Sequence, residues 1–232
     1  MENFTIKPIG YIQTDFDEKF GIPRQSGRAP SLVARVIFHP EFRCEDALRS
    51  IEDFSHLWLL FDFSLAHKQG FTPLVRPPRL GGNKKVGVFA SRSPFRPNNI
   101  GLSSVKLIKV EKTEEFGHTL LVAGADLLNG TPIYDVNPYL PFTDCHIDAV
   151  GGYADEQSDY KLKVELCKEV FELLPQDKVT ALKECLEDDP RPSYQEDGKE
   201  YGVTFAGINF RFTVNNGTLT VLSAEKHPSH NA

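Results

Sequence analysis

The amino-acid sequence predicts an α+β protein in which a β-rich part precedes a smaller part that contains helices. Apolar or alternating runs of strand length fill the chain through Asp144, and one short helix is predicted among them. Regular strand–helix alternation, which marks a doubly wound sheet, is missing, so we expect the first part to be a barrel or a sandwich. From about Asp155 the apolar spacing becomes helical, which indicates a second, smaller domain.

Strands dominate the first part. Leu48, Ile51 and Phe54 recur at helical spacing and predict a helix over 45–54. Two long polar segments, 14–30 and 65–85, are rich in proline and glycine, and loops of this length in a compact domain are usually functional or disordered. Apolar runs and alternation predict strands at 4–12, 32–38, 57–63, 86–90, 103–111, 120–126 and 133–135.

Helices followed by a hairpin are predicted in the second part. An apolar stripe with four-residue spacing predicts a helix over 158–174, formed by Leu162, Leu166, Val170 and Leu174. A second helix over 178–186 ends at the DPRP sequence, because its prolines forbid continuation. The sequence Asn-Asn-Gly at 215–217 predicts a tight turn between two strands of a β-hairpin. The predicted strands are 203–206, 209–214 and 219–222, and the predicted domains are 1–154 and 155–232.

The most informative stretch is VGVFASRSPFRPNNIGL at 86–102, which we interpret as a strand, a loop and a second strand. Pro94 and Pro97 bias the residues before them toward extended geometry, so the loop between the strands is rigid. Its Arg92 and Arg96, with two serines, are donors suited to phosphate, carboxylate or the edge of a base.

Positive charge is concentrated around this loop although the net charge of the chain is −6. Between Asp62 and Glu111 there is no acidic residue, whereas 155–189 carries eleven acidic and five basic residues. The basic stretch is either a solvated face or an anion-binding surface, since the local field decides what docks there. The candidates for RNA phosphate contacts in this stretch are Arg76, Arg79, Lys84, Lys85 and Arg96.

Several other classes of protein are disfavoured. The N-terminus has no cationic region followed by an apolar core, and no apolar run approaches membrane-spanning length, so we expect a cytoplasmic protein. GxGxxG, Walker and GxSxG patterns are missing. Four cysteines without CxxC spacing indicate free thiols, and for the cluster that starts at Asp144 with Cys145 and His146 we favour polar or capping roles over a metal site.

Asp126, Asp135 and Tyr139 follow predicted strand ends around a turn in ADLLNGTPIYDVNPYLPF. Carboxylates at strand ends either bind sugar hydroxyls or an ammonium group, or cap turns. Together with PRQSG, RPPRLGGNKKVGVFASRSPFRPNNIGLS and DPRPSYQ, this segment resembles the family of bacterial tRNA N6-threonylcarbamoyladenosine N6-methyltransferases. The resemblance covers nearly the whole chain. It implies a small β-barrel that binds S-adenosylmethionine and acts as a homodimer on the adenosine next to the anticodon of tRNA.

The resemblance also implies cofactor contacts in four segments of the chain. One departure concerns the position after the third strand, where the family commonly has a histidine and this chain has Ser64 and Leu65, with His67 later; backbone contacts would replace the side chain there. By motif, the cofactor-binding residues are Pro23, Arg24 and Gln25, then Ser64 and Leu65, then Arg92 and Leu102, and finally Gly124, Ala125, Asp126 and Leu127.

The sequence does not identify which residue acts as the proton acceptor in catalysis. Methyl transfer is an in-line displacement, so positioning of the acceptor nitrogen near the methyl group supplies most of the catalysis. That nitrogen is urea-like and weakly nucleophilic, and Asp126, Asp135 or Tyr139 is a candidate proton acceptor. Arg191, held between prolines, either contacts RNA from an exposed position or only marks the helix end. The alternative function is a non-catalytic RNA- or nucleotide-binding β-barrel.

Overall fold

The computed structural model describes residues 4–77, 84–157, 160–191 and 197–228, and strands make up most of their regular structure. This confirms the mixed α+β class. The strands are β1 Gly10–Gln13, β2 Val33–Phe38, β3 His56–Asp62, β4 Leu74–Val75, β5 Val86–Gly87, β6 Ile100–Thr113, β7 Gly117–Ala123, β8 Thr131–Pro138, β9 Lys163–Glu165, β10 Glu200–Phe205, β11 Ile208–Asn215 and β12 Thr218–Lys226. The α-helices are α1 Pro141–Asp144, α2 Lys168–Leu173 and α3 Gln176–Glu187.

Six antiparallel strands of the first part pair in a closed order, β1-β2-β7-β6-β3-β8, and β8 pairs back with β1. Gly10 in β1 permits this closure, because a Cβ at that position would lie 2.2 Å from the carbonyl oxygen of Ile37 in β2. The short strand β1 therefore approaches its neighbour more closely than a side chain would allow, and it links β2 to β8.

The alternation of the strands decides which side chains enter the core of this sheet. In β3, Leu57 and Leu59 are fully buried, whereas His56 and Trp58 point to the outer face. In β6, Ser103 and Val105 point inward, and Leu102, Ser104 and Lys106 point outward. The outer faces of β3, β6 and β8 thus form one continuous surface.

The second part contains a four-stranded sheet of order β10-β11-β12-β9, in which β9 runs parallel to β12. Its core includes Phe205, Phe210 and Phe212 and the buried face of α3. Phe16, Ala29 and Leu32 from the long segment that connects β1 to β2 belong to the same core. The second core therefore needs side chains from the N-terminal part of the chain.

The predicted helix over 158–174 is wrong over much of its length. Residues 158 and 159 lie outside the described part, 163–165 form β9, and the helix α2 occupies only Lys168–Leu173. Four-residue spacing of apolar side chains is also an even spacing, so it satisfies one face of a strand as well as one face of a helix. Residues 163–165 form a strand and not a helix because they pair with β12, where Lys163 lies next to Thr218.

Two further local predictions need correction. The predicted strand over 86–90 is limited to β5, because Val88–Ala90 is a 3-10 turn. Residues 45–54 contain two 3-10 turns instead of one helix, since Ser50 between them has a left-handed backbone with φ 63°. The first strand is also shorter than predicted, beginning at Gly10.

Candidate active site at the cofactor loops

The segment 23–28, which follows β1, touches the chain directly after β7. The backbone N–H of Gly27 donates to the carbonyl oxygen of Gly124 over 2.8 Å, and the N–H of Gly124 donates to Leu32 over the same distance. Gly124 has φ 78°, and a Cβ there would lie 3.2 Å from the Cα of Gly27. Glycine at position 124 therefore allows these two backbone segments to meet closely.

Asp126 lies two residues beyond this contact. Its Oδ1 accepts a hydrogen bond of 2.6 Å from the hydroxyl of Ser103 on β6. Burial raises the pKa of Asp126, and the hydrogen bond from Ser103, the charge of Arg92 and the backbone of Ser26 oppose that rise in part. The site thus holds a buried carboxyl group within the field of an arginine.

The side chains of Ala125 and Leu127, on either side of Asp126, are buried in the core of the closed sheet. A cofactor contact by these two predicted residues would therefore have to come from their backbone. Alternation across Asp126 explains this arrangement, because neighbouring side chains of an extended segment point to opposite sides.

Arg92 joins the central loop to the first loop. Its Nη1 donates to Oε1 of Gln25 over 2.6 Å. Arg96 organises the central loop itself: its Nη1 donates to the carbonyl oxygens of Val88, over 3.2 Å, and Ser91, over 2.8 Å. These bonds draw the chain into the turn that replaces the predicted strand, and they give Arg96 a structural task beside its predicted RNA contact.

A cleft of about 480 Å³ opens beside these loops and is lined by Ser26, His56, Trp58, Arg92, Ser104 and Tyr139. Trp58 pairs across the strands with Ser104, and the N–H of Tyr139 donates to the carbonyl oxygen of His56 over 3.0 Å. The cleft therefore extends from the cofactor loops along the outer face of β3 and β6.

The side chain of Arg24, a predicted cofactor contact, reaches the second part of the chain. Its Nη2 donates to the carbonyl oxygens of Asp189, over 3.4 Å, and Arg191, over 2.6 Å, in the second part of the chain. The side chain is thus directed to the end of α3, and the three loops converge around Gln25, Arg92 and Asp126 without the Arg24 guanidinium.

Arg191 is buried, with 8% of its surface exposed, so its predicted exposed presentation is wrong. Its Nε pairs with Asp189 over 3.0 Å and its Nη1 with Asp197 over 3.4 Å. These ion pairs with two carboxylates hold the guanidinium inside the protein, away from solvent. The structure removes the premise on which its RNA contact was predicted.

Known proteins similar to this chain include whole-length relatives. The family model described as the tRNA-methyltransferase O N-terminal domain matches residues 11–145, and the TrmO C-terminal domain model matches 159–227. The chain belongs to the tRNA-methyltransferase O family. A protein of Escherichia coli named tRNA (adenine(37)-N6)-methyltransferase is 39% identical over 97% of this chain and 99% of its own. The family resemblance found in the sequence motifs is therefore confirmed.

Two matches from Pseudomonas aeruginosa, one sequence and one structure, add to this assignment to the tRNA-methyltransferase O family. One, named as an S-adenosylmethionine-dependent methyltransferase, RcsF, is 41% identical and spans 86% of this chain and 87% of its own. A crystal structure of TrmO from this organism superimposes with a TM-score of 0.77 at 33% identity, covering 96% of this chain and 99% of that one. Sequence and fold agree over nearly the full length.

The remaining residues predicted to contact the cofactor or RNA in this tRNA-methyltransferase O chain differ in how exposed they are. Pro23 is buried beside the first loop. Ser64 and Leu65 are exposed at the start of the 3-10 helix after β3, and Leu102 is half exposed on the outer face of β6. The predicted phosphate contacts Arg76, Lys84 and Lys85 are exposed and flank the paired strands β4 and β5, whereas Arg79 lies outside the described residues.

Sequence reasoning missed the residues that complete the cleft. The run 57–63 was predicted as a strand because it is apolar, but Trp58, like His56 just before that run, alternates with leucines and lies on the outer face. That alternation was a usable signal. Ser26, Ser103 and Ser104 carried no comparable signal, because their roles depend on pairing between strands that are far apart in sequence.

The cluster that begins at Asp144 has a structural role. Oδ2 of Asp144 accepts hydrogen bonds from Nε1 of Trp58, over 2.9 Å, and from the N–H of Leu140, over 2.8 Å. Within the ranges that the structure describes, no group of three or more His, Cys, Asp or Glu side chains is placed to hold a metal ion, and the cysteines are free thiols. None of the helices in those ranges combines the length and apolar character that crossing a membrane requires.

Proposed function

We propose that this protein transfers a methyl group from S-adenosylmethionine to the N6 nitrogen of N6-threonylcarbamoyladenosine next to the anticodon of tRNA. The names of the Escherichia coli and RcsF relatives support the tRNA adenosine acceptor and the methyl donor. The observation that carries the proposal is the convergence of Gln25, Arg92 and Asp126 from three separate loops beside an open cleft.

The residues at this convergence fit the cofactor chemically. S-adenosylmethionine, when bound, supplies an electrophilic methyl group on a positively charged sulfonium. The Asp126 carboxylate would accept hydrogen bonds from hydroxyl or ammonium groups, and Arg92 would pair with a carboxylate. Leu102 offers an apolar surface, and the backbones of Pro23, Gly124 and neighbouring residues, with Ser64 and Leu65, would supply the remaining contacts.

Positioning by these residues is the main catalytic contribution that we propose, because an in-line displacement needs little covalent assistance. Asp135 is a weak candidate for proton acceptance, since its oxygens accept from the N–H of Val136, over 2.9 Å, and from Asn137, over 3.2 Å. Asp126 and Tyr139 remain as candidate proton acceptors, and of these two Tyr139 lines the cleft.

We further propose that the exposed Arg76, Lys84 and Lys85, with Arg79, contact tRNA phosphates, and that the protein works in the cytoplasm, where tRNA is modified. The 1–154 unit acts as a β-barrel that carries the cofactor site, and the 155–232 unit packs against its first loop. Contacts of basic side chains with phosphates would dominate RNA affinity and make it dependent on salt.

A homodimer completes the proposal. Phe142, Ile147 and Val150, in the segment after β8, are 85%, 98% and 88% exposed. A second copy of the chain would cover this apolar segment, since exposed apolar clusters mark interaction sites. Light scattering of the Ile147→Asp variant should show a shift to monomer; an unchanged mass would place the dimer contact elsewhere.

The function is tested by supplying the purified protein with S-adenosylmethionine and tRNA from a strain that lacks this gene, then analysing nucleosides by mass spectrometry. We expect a gain of one methyl group on N6-threonylcarbamoyladenosine. Calorimetry should show saturable cofactor binding that Asp126→Ala weakens and that Asp135→Ala, the matched control, does not. RNA binding without cofactor binding would favour the non-catalytic alternative.

A further inference from the structure

Three aromatic rings that lie next to one another form one wall of the cleft. His56 and Trp58 lie on the outer face of β3, and Tyr139 follows β8. The ring centres of Trp58 and Tyr139 are 5.5 Å apart, and those of His56 and Tyr139 are 6.2 Å apart. All three line the same space of about 480 Å³, a volume within the usual range for small-molecule sites.

The wall is held in place by hydrogen bonds outside the cleft. The indole N–H of Trp58 donates a hydrogen bond to the carboxylate of Asp144, which also accepts one from the backbone N–H of Leu140. The backbone of Tyr139 is bonded to that of His56. A ring whose polar atom is already bonded presents its faces for stacking, and little rotamer entropy remains to be lost when a flat ligand binds.

The charge around the wall favours a nucleic-acid base over a cationic ligand. The side chains that line the cleft include Arg92 and no carboxylate, and the exposed Lys106 pairs with His56 in register on the same outer face. Flat heterocycles attached to phosphates are recognised by aromatic rings for the base and by cations for the backbone.

The position of the wall relative to the cofactor loops gives it a role. Ser104 lines the cleft beside Trp58, its partner across the strands, and the neighbouring Ser103 bonds Asp126 through its hydroxyl on the inner face of β6. The cleft thus connects the aromatic wall with Ser26 and Arg92 of the cofactor loops. An enzyme that modifies a base must take it out of its stack and hold it close to the donor.

We propose that the His56, Trp58 and Tyr139 wall binds the unstacked base of the substrate adenosine, while the Ser26 and Arg92 end of the cleft faces the cofactor. The inference rests on the proposed function and adds a subsite for the acceptor base to it. Tyr139 contributes a hydroxyl that can donate a hydrogen bond to an acceptor atom of the base.

Trp58 is the only tryptophan of the chain, so its fluorescence reports directly on this wall. The probes are two fluorescein-labelled anticodon stem-loops, one with adenosine and one with an abasic nucleotide at the target position, and S-adenosylhomocysteine alone. Both RNAs should bind by anisotropy, but only the RNA with the base should quench Trp58. Equal quenching by the abasic RNA would overturn the inference. Full quenching by S-adenosylhomocysteine would also do so, because the wall would then hold the cofactor's own adenine.

Variants provide an independent test by steady-state kinetics. Tyr139→Leu should raise the KM for RNA by roughly 5- to 150-fold, the range expected for losing a stacked base, with cofactor affinity unchanged. Tyr139→Phe, which keeps the ring, should recover most of that loss. Phe171→Ala, which removes an exposed ring on α2, is the matched control and should leave KM unchanged. An unaltered KM in folded Tyr139→Leu protein would refute the subsite.

The two proposals fail separately. Methylated tRNA without base-dependent quenching would leave the enzyme function standing and remove the base subsite. Base-dependent quenching without methyl transfer would keep the subsite and remove the proposed reaction.

Discussion

Removal of the Asp188 carboxylate should release the first cofactor loop. Asp188, at the end of α3, accepts from Nε of Arg28 over 2.7 Å and from the backbone N–H of Arg24 over 3.3 Å. Nearby, Glu184 accepts from both the N–H and the hydroxyl of Ser31, over 2.7 and 2.8 Å. The loop that carries Gln25 is therefore fastened to the second part of the chain along its length.

The size of the effect follows from burial. The side chain of Asp188 is 6% exposed and that of Arg28 is 25% exposed. Breaking such a pair by removing one partner costs about 2–4 kcal/mol, somewhat less than for a fully buried pair. If the cofactor must then repay this full cost to reorder the loop, its dissociation constant should rise by about 30- to 700-fold, since each 1.4 kcal/mol corresponds to about tenfold.

The assay compares Asp188→Ala with Asp188→Asn, which keeps one acceptor oxygen and should fall between Asp188→Ala and the wild type. Thermal unfolding and calorimetric titration with S-adenosylmethionine are measured on each variant. Glu200→Gln is the control, because it removes an exposed ion pair with Arg211 on the four-stranded sheet of the second part, which should contribute little to stability. A lower melting temperature with unchanged cofactor affinity would show that the fastening serves stability alone.

Three further outcomes are expected. Cofactor affinity should rise with pH through the raised pKa of Asp126 and level off above it, because a cationic ligand favours the ionised carboxylate; Asp126→Asn should abolish this dependence in calorimetry. Lys84→Ala with Lys85→Ala should weaken tRNA binding and flatten its salt dependence by about one unit of slope per lost contact, without changing cofactor affinity. Arg191→Ala should cost about 3–5 kcal/mol of stability and leave the salt slope unchanged; a reduced slope would restore the RNA contact.

Local sequence signals sufficed for several elements. Apolar runs predicted β2 and β3 to within a residue at each end, and Asn-Asn-Gly predicted the hairpin between β11 and β12. In that hairpin Asn216 has φ 49° and Gly217 has φ 75°, the backbone geometry that these residue types tolerate. Where a residue's neighbours along the chain decide its conformation, the sequence is enough.

Long-range pairing could not be predicted in the same way. Arg24 reaches the carbonyl of Arg191, 167 positions away, and Phe16 completes a core made mostly of residues beyond Leu162. The resemblance implied a cofactor contact for Arg24, whereas its guanidinium is used to join the two parts. Deleting the second part would expose Phe16 and free the first loop, so a shortened chain should lose cofactor affinity rather than keep it.

The buried carboxyl of Asp126 explains why the site suits a cationic donor. In the free protein, burial raises its pKa, so its contribution to stability is complete below the unfolded-state pKa and is lost as the pH rises through the folded-state pKa. Arg92 offsets part of this cost, but that arginine is also bonded to Gln25. A bound sulfonium or ammonium group would supply the missing positive charge. Ligand binding and ionisation of Asp126 should therefore be coupled, and the same coupling would distinguish the charged donor from neutral nucleosides.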